Sequence, residues 1–265
     1  MNTSSGKRFH PGCFFRSFMT PTASILLLLG SLAAAYGLNL FEEYQSGIQW
    51  AEPKVVNPGP PGGPPSDAIV LFDGKDLSQW EGAKEGGIED GCINIVKSGE
   101  LRSKQQFGDC QLHMEWATPA VADGNAMKWG NSGVFLMDSF EVQIIESNAT
   151  HIYADGIAAA VYGQTPPLVN ASRKPGQWQC FDIVFTAPRF DGEKLRQPAY
   201  VTVFHNGVLA QYHQTILGPT AHKMFPQYTS HETEGPIRLQ QHGSAVRLRN
   251  IWVRPLQLDG SDHSL

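Results

Sequence analysis

Hydrophobic residues along this chain recur in short runs that alternate with polar residues and are separated by clusters of Gly, Pro, Asn and Asp. Alternation with a period of two is typical of β-strands that bury one face, whereas helical periodicity is nearly absent here. The pattern predicts strands at 69–72, 93–96, 111–117, 133–137, 140–145, 179–186, 200–205, 208–212, 237–241 and 245–253.

The connections between these runs are short. Asn206 and Gly207 lie between two predicted strands and predict a tight hairpin, because Asn-Gly tolerates the positive φ values of a type I′ turn. Many short strands joined by short turns favour an all-β class, an antiparallel β-sandwich or jelly roll. Such a sandwich leaves a concave outer face free for a ligand.

The run 140–147, FEVQIIES, places polar side chains inside an otherwise apolar strand. Glu141 and Gln143 are two residues apart and share one face, while Val142 and Ile144 point to the other face. Glu146 is out of phase by one residue, and a β-bulge would return it to the face of Glu141 and Gln143. The alternative is an ordinary solvated sheet face.

The first 35 residues contain Lys7, Arg8 and Arg16 but no acidic residue, and an apolar run ending in three alanines follows the basic positions. This order is typical of a secretory signal peptide, although the apolar run extended to Leu40 would also allow an uncleaved N-terminal anchor. We therefore expect export to the periplasm or the exterior, or membrane tethering.

Residues 36–66 are rich in Pro and Gly and predict an extended linker. Residues 67–258 then form one domain, and 259–265 a C-terminal tail.

The net charge is −5, and removal of the three basic residues of the leader would take it to −8. An acidic chain without a basic cluster argues against nucleic acid as a partner and against a membrane partner apart from the N-terminal anchor.

Outside the leader, the chain has three cysteines, Cys92, Cys110 and Cys180. An odd number allows at most one disulfide among them. The spacing of Cys and His does not match a structural zinc site.

Several sequence blocks, taken in order, resemble one known family. They are LFDGKDLSQW (71–80), GNSGVF (130–135), FEVQIIES (140–147), VYGQ (161–164), PGQWQ (175–179), FTAPRFD (185–191), GPIRLQQHG (235–243) and VRLRNIW (246–252). Together they resemble the bacterial 3-keto-disaccharide hydrolase family, also described as 3-keto-glucoside 1,2-lyase and 3-keto-2-hydroxy-glucal hydratase. The resemblance spans 69–256 and implies a concanavalin A-like jelly roll. One departure is Glu146, where the family usually has Asp.

The resemblance implies a glycoside substrate oxidised at C3 of a glucosyl unit. The ketone acidifies the C2 hydrogen, so a base can remove it, the C1 aglycone can leave, and water can add to the enone. Such a route needs a general base, a group that holds the developing charge, and an acid at the leaving oxygen. We expect Glu141 and Glu146 to serve as base and acid, with Gln143 orienting them.

A divalent metal ion could assist as a Lewis acid on the ketone and its neighbouring hydroxyl. We expect its ligands among four residues: Glu141, Glu146, His151 and His242. Apart from this ion, no cofactor is expected.

The expected sugar-binding residues lie in loops and strands near the same motifs. They are Trp129, Asn131, Tyr162, Gln164, Asn170, Arg238 and Gln240.

Two other functions remain open at this stage. A retaining laminarinase-like glycosidase would use two glutamates of an E-x-D-x-x-E strand, but Gln143 replaces the middle acid. A non-catalytic carbohydrate-binding module is the other alternative, since this fold class also forms lectins.

Overall fold

The structure is a computed structural model that describes Gly47 and residues 52–122 and 124–258. Val55–Leu265 forms one compact unit, and Met1–Lys54 a separate one of which little is described. The predicted leader therefore lies outside the described residues, as does the predicted tail. In the described part of the chain, no helix has the length and apolar character needed to cross a membrane.

The compact unit is almost entirely β. Its strands are β1 (Ile69–Phe72), β2 (Trp80–Glu81), β3 (Ile88–Glu89), β4 (Cys92–Asn94), β5 (Leu101–Phe107), β6 (Cys110–Ala117), β7 (Ser132–Leu136), β8 (Phe140–Ile144), β9 (Gln179–Thr186), β10 (Arg189–Asp191), β11 (Lys194–Gln197), β12 (Tyr200–His205), β13 (Val208–Thr215), β14 (Gly235–Leu239) and β15 (Arg247–Pro255). One short helix, α1 (Ile95–Ser98), and a 3₁₀ turn at Ala154–Gly156 complete the described elements.

The strands form two antiparallel sheets and one small hairpin. The large sheet has the order β13-β12-β9-β6-β15-β4-β3, with β1 also paired to β15. The small sheet has the order β2-β5-β14-β7-β8, and β10 pairs with β11. Apolar side chains from both sheets form a single buried cluster. The all-β sandwich expected from the sequence is confirmed.

Strand β9 illustrates why the alternating pattern produces this architecture. Phe181, Ile183 and Phe185 are fully buried in the core, whereas Cys180 and Asp182, on either side of Phe181, are only partly buried. Because neighbouring residues of a strand point to opposite faces, alternation of this kind assigns each side chain to the core or to the outer face. Burial of such large apolar side chains stabilises the sandwich by about 1.5–3 kcal/mol each.

Most predicted strands are present within one or two residues of their expected ends, and the 206–207 hairpin is confirmed. Asn206 and Gly207 have φ values of 54° and 78°, as a type I′ turn requires. The prediction of a strand at 93–96 is partly wrong, because the chain turns into α1 after Asn94. Strand β5 was missed, since its polar run LRSKQQF is placed by pairing with β2 and β14.

Residues 57–66 of the predicted linker do not extend away from the domain. Ser66 donates its backbone N–H to the Asn57 carbonyl, which closes a loop. At the tip of that loop, the Gly62 carbonyl accepts hydrogen bonds from the side chains of Asn250 and Trp252 on β15. Proline has no backbone N–H, so this Pro-rich loop has few internal donors and its carbonyls remain available to the sheet.

The three described cysteines, Cys92, Cys110 and Cys180, are all free. The one disulfide that the sequence allowed among them is therefore not formed.

Candidate active site

A cavity of about 520 Å³ lies on the outer face of the small sheet. Its walls come from strands β7, β8 and β14 and from four loop segments, which lie before β7, after β8, at 220–222 and after β14. The lining residues are Asn125, Met127, Lys128, Asn131, Phe135, Glu141, Gln143, Tyr162, Thr220, Ala221, His222, Arg238, Gln240 and His242. Every one of the strands in this wall was predicted from the sequence.

Strand register brings the principal polar groups together. Glu141 on β8 is opposite Phe135 on β7, and Phe135 is in turn opposite Arg238 on β14. The neighbouring row contains Gln143 opposite Gly133, whose carbonyl accepts the Gln240 backbone N–H. The sequence prediction that Glu141 and Gln143 share one face is confirmed.

Glu141 is a buried carboxylic acid in the wall of the cavity, only 5% exposed. Among the described residues, its carboxyl oxygens have no hydrogen-bond partner; its backbone N–H donates to the Thr220 hydroxyl. Burial raises the pKa of Glu141 to about 8, and the positive charge of Arg238 opposes the rise. A perturbed, unpartnered carboxyl group facing a cavity is the typical signature of a general base or acid.

Gln143 lies next to Glu141 and is also buried. Its side-chain oxygen accepts the backbone N–H of Ile144, which leaves the amide NH₂ as the group available to a ligand. A donor at this position can hold negative charge that develops on a bound molecule.

Tyr162 belongs to a hydrogen-bonded row at the cavity mouth. Its hydroxyl lies 3.1 Å from the Tyr153 hydroxyl and 3.0 Å from His222 Nδ1. Burial raises the pKa of Tyr162, and the hydrogen bond to Tyr153 adds to the rise, so the phenol stays protonated. Tyr162 is thus a proton donor that faces the same cavity as Glu141.

Arg238 lines the cavity but its guanidinium is already engaged. It forms ion pairs with Asp138 and Glu100, and its Cζ atom lies 3.5 Å from the centre of the Phe135 ring. Its positive charge lowers the pKa of Glu141, while its role in binding sugar hydroxyls stays a prediction.

Glu146 does not join Glu141 and Gln143, because β8 ends at Ile144 without the expected bulge. Its carboxylate accepts the backbone N–H groups of Asn148 and Ala149 at 2.7 and 3.0 Å, and it does not line the cavity. A carboxylate that satisfies backbone donors at the start of a loop stabilises that loop. The structure thus places the carboxylate of Glu146 on its own loop and apart from Glu141 and Gln143, and its catalytic role stays a prediction.

The four expected metal ligands are not brought together. Glu141 and His242 line the cavity, but Glu146 is occupied with its own loop and His151 is an exposed residue outside the lining. Within the described ranges, the only group of at least three possible ligands close enough for one ion is His113, Cys180 and Asp182, on the other sheet. The residues present at the cavity do not fit the expected metal site.

The other expected binding residues divide into two groups. Asn131, Tyr162, Arg238 and Gln240 line the cavity, whereas Trp129, Gln164 and Asn170 do not. Those three side chains instead donate to the carbonyls of Pro119, Gly218 and Ser147, respectively, and so hold the surrounding loops.

Several lining residues were not singled out from the sequence. Lys128 lies in the loop before β7, and Thr220, Ala221 and His222 come from a loop about 80 residues after β8. Lys128 is three residues from Asn131, which the sequence analysis had singled out, so its place near the cavity could have been inferred. The 220–222 loop reaches the cavity through long-range packing, which no local sequence pattern indicates.

Comparison with known proteins identifies relatives along most of this length. The family described as the 3-keto-alpha-glucoside-1,2-lyase-like domain matches residues 67–254. A 3-keto-disaccharide hydrolase of Bacteroides thetaiotaomicron is 24% identical over 235 residues, which cover 71% of this chain and 78% of the relative.

Solved structures agree with the fold. A crystal structure of a provisionally assigned glycosyl hydrolase from Parabacteroides distasonis ATCC 8503 has 43% identity and a TM-score of 0.74, and the match covers 82% of this chain and 96% of that one. Another from the same organism has 23% identity and a TM-score of 0.50, covering 71% and 99% of the two chains. The second likeness supports the fold alone.

Proposed function

Because this chain belongs to the 3-keto-alpha-glucoside-1,2-lyase-like domain family, we propose that it cleaves 3-keto-glycosides, with Glu141 as the base that removes the C2 proton. Membership of the family resembled by the sequence blocks is confirmed. The observation that carries the proposal is the character of the cavity, whose described lining contains one carboxyl group, that of Glu141, buried and without a hydrogen-bond partner.

The proposed reaction begins with transfer of the C2 proton of the keto-sugar to the Glu141 carboxylate. The electron pair of the C2–H bond then forms an enediolate with the C3 oxygen. Gln143 provides an amide donor and Lys128 a positive charge for that oxygen, so the charge develops next to fixed donors.

Departure of the aglycone from C1 completes the elimination and leaves an enone. The leaving oxygen needs a proton, and we assign the Tyr162 hydroxyl as its source, with His222 Nδ1 3.0 Å away to restore it. Addition of water at C1 and return of a proton to C2 gives net hydrolysis. This route requires one base and one proton donor, and Glu141 and Tyr162 both line the cavity.

Retaining hydrolysis is less well supported by the same geometry. It needs two carboxyl groups about 5 Å apart on either side of the glycosidic bond. Glu146, the second glutamate of the strand motif, has its carboxylate on the backbone of its own loop. Tests should therefore begin with keto-sugars.

The test is turnover of a 3-keto-glucoside in D₂O, compared with its unoxidised parent glycoside. Elimination followed by hydration puts solvent deuterium at C2 of the released keto-sugar, which mass spectrometry detects, and a blank without enzyme corrects for spontaneous exchange. Cleavage of the parent glycoside with C2–H retained would contradict the proposal. Saturable binding without any product would instead support a carbohydrate-binding module.

A further inference from the structure

A second cavity, of about 730 Å³, lies on the outer face of the large sheet. It lies between that sheet and the strap, which we define as residues 56–65. The sheet contributes Gln111, His113, Cys180, Asp182, Trp252 and Arg254 to its wall. None of these residues lines the cavity that contains Glu141, which is on the outer face of the other sheet.

Strand register places three potential metal ligands at one point of this wall. Cys180 and Asp182 are two residues apart on β9 and alternate with the buried Phe181, so both face outward. His113 on β6 is directly opposite Asp182. Side chains presented by paired strands have fixed positions, because the backbone hydrogen bonds of the sheet hold their Cα atoms.

The ligand atoms are already close to one another. His113 Nδ1 lies 2.7 Å from Asp182 Oδ1 and 3.7 Å from Cys180 Sγ, and Sγ lies 3.3 Å from Asp182 Oδ2. Zinc binds such atoms at about 2.0–2.3 Å in a tetrahedron, so its ligands stand roughly 3.3–3.7 Å apart. The two distances to sulfur meet this spacing, and only the contact between His113 and Asp182 has to open.

The surroundings hold the imidazole in place. The His113 ring stacks on Trp252 with centroids 5.0 Å apart and planes 9° from parallel. Its second nitrogen, Nε2, lies 3.1 Å from Asn250 Nδ2, and the Asn250 side chain also donates to Glu115 and to the Gly62 carbonyl of the strap. Because Asn250 donates to Nε2, the ring carries its proton on Nδ1, towards Asp182. A cation that binds Nδ1 therefore has to displace this proton and the contact of Nε2 with Asn250 Nδ2.

We propose that His113, Cys180 and Asp182 bind one borderline-soft divalent cation of the zinc class, with a remaining coordination position directed into the cavity under the strap. Thiolate, imidazole and carboxylate are together the donor set of zinc sites, and a site with three protein ligands keeps one position open. Binding releases the proton of the Cys180 thiol to the solvent, and the ring proton of His113 moves from Nδ1 to Nε2 so that Nδ1 can bind the cation.

The experiment uses the full chain without a histidine tag, stripped with a chelator and titrated with Zn²⁺ by calorimetry and with Co²⁺ by absorption. We expect saturable binding of one ion and a thiolate-to-cobalt charge-transfer band in the near ultraviolet. Cys180→Ser should abolish the band and weaken Zn²⁺ binding by at least about 10²-fold, since even outer partners of metal ligands are worth 10–100-fold. Asp182→Asn should weaken binding in the same direction.

Cys92→Ser is the matched control, because it removes another free cysteine that lies outside the cavity wall. It should keep the band, and so should Glu141→Gln, which separates this site from the proposed catalytic one. No saturable binding, or a band that survives in Cys180→Ser, would overturn the proposal. If Cys180→Ser does not fold, protection of Cys180 in the wild-type chain from alkylation by Zn²⁺, read by mass spectrometry, decides the same question.

Discussion

The carboxyl group of Glu141 lies directly over Gly133 on the adjacent strand. A β-carbon at position 133 would be 2.2 Å from Glu141 Oε1 and 2.8 Å from its Cδ atom. Glycine is thus the residue that allows the carboxyl group to occupy its present position between the cavity and the sheet. A substitution at position 133 therefore tests whether activity depends on the position of the Glu141 carboxyl group.

Gly133→Ala should move the Glu141 carboxyl group while the strand pairing is kept. We expect kcat/KM for a 3-keto-glucoside to fall about 10²-fold, because misplacement of a catalytic group by about 1 Å costs that much. The double variant with Glu141→Gln is the control: if both changes act on the same group, adding Gly133→Ala to Glu141→Gln should cause no further loss. An unchanged rate in Gly133→Ala would remove the proposed role of this contact.

Glu141→Gln should lower kcat/KM by about 10²–10⁴-fold, the usual contribution of a general base. The amide has the same shape, so substrate binding should be largely kept. Product formation is measured by mass spectrometry at substrate concentrations well below KM, where the rate is proportional to kcat/KM. A variant with full activity would exclude Glu141 as the base.

The same carboxyl group should make stability depend on pH. Its pKa is 4.5 ordinarily and about 8 in the folded chain, so between these values the folded state keeps a proton that the unfolded state has released. Stability then falls as pH rises from 4.5 towards 8, since protonation favours the folded state. Thermal melts at about pH 5 and about pH 9 should show a smaller loss of Tm in Glu141→Gln than in the wild type. Equal losses would mean that Glu141 does not carry the effect.

Catalysis should depend on pH in the opposite direction, because the base must be ionised. We expect kcat/KM to rise through the pKa of Glu141, about 8. Arg238→Gln removes the positive charge that holds this pKa down, so the rise should move to higher pH. Arg238→Lys, which keeps the charge, is the matched control. If the pH profile of kcat/KM does not move in Arg238→Gln, the rise reflects the ionisation of a group other than Glu141.

Glu146→Gln should affect stability more than chemistry. The carboxylate accepts two backbone N–H groups of the 148–149 turn, and replacing it with a neutral amide weakens both charge-assisted bonds. We expect a loss of about 1–3 kcal/mol in the free energy of unfolding, measured by urea denaturation. The pH at which kcat/KM rises should stay where it is in the wild type; a shift would return Glu146 to the catalytic group.

The sequence by itself determined most of the strand pattern, the 206–207 turn and the shared face of Glu141 and Gln143. These features follow from local rules, because alternation fixes which side of a strand each residue faces and Asn-Gly fixes a turn. The family blocks along 71–252 added the proposed chemistry.

Only the tertiary structure decided which polar groups meet. It assigned the carboxylate of Glu146 to its own loop, the charge of Arg238 to Asp138 and Glu100, and the 220–222 loop to the cavity. It also placed His113 beside Cys180 and Asp182, which are about 70 residues away along the chain. Such pairings depend on sheet register and loop packing between distant segments, and local alternation contains no information about either.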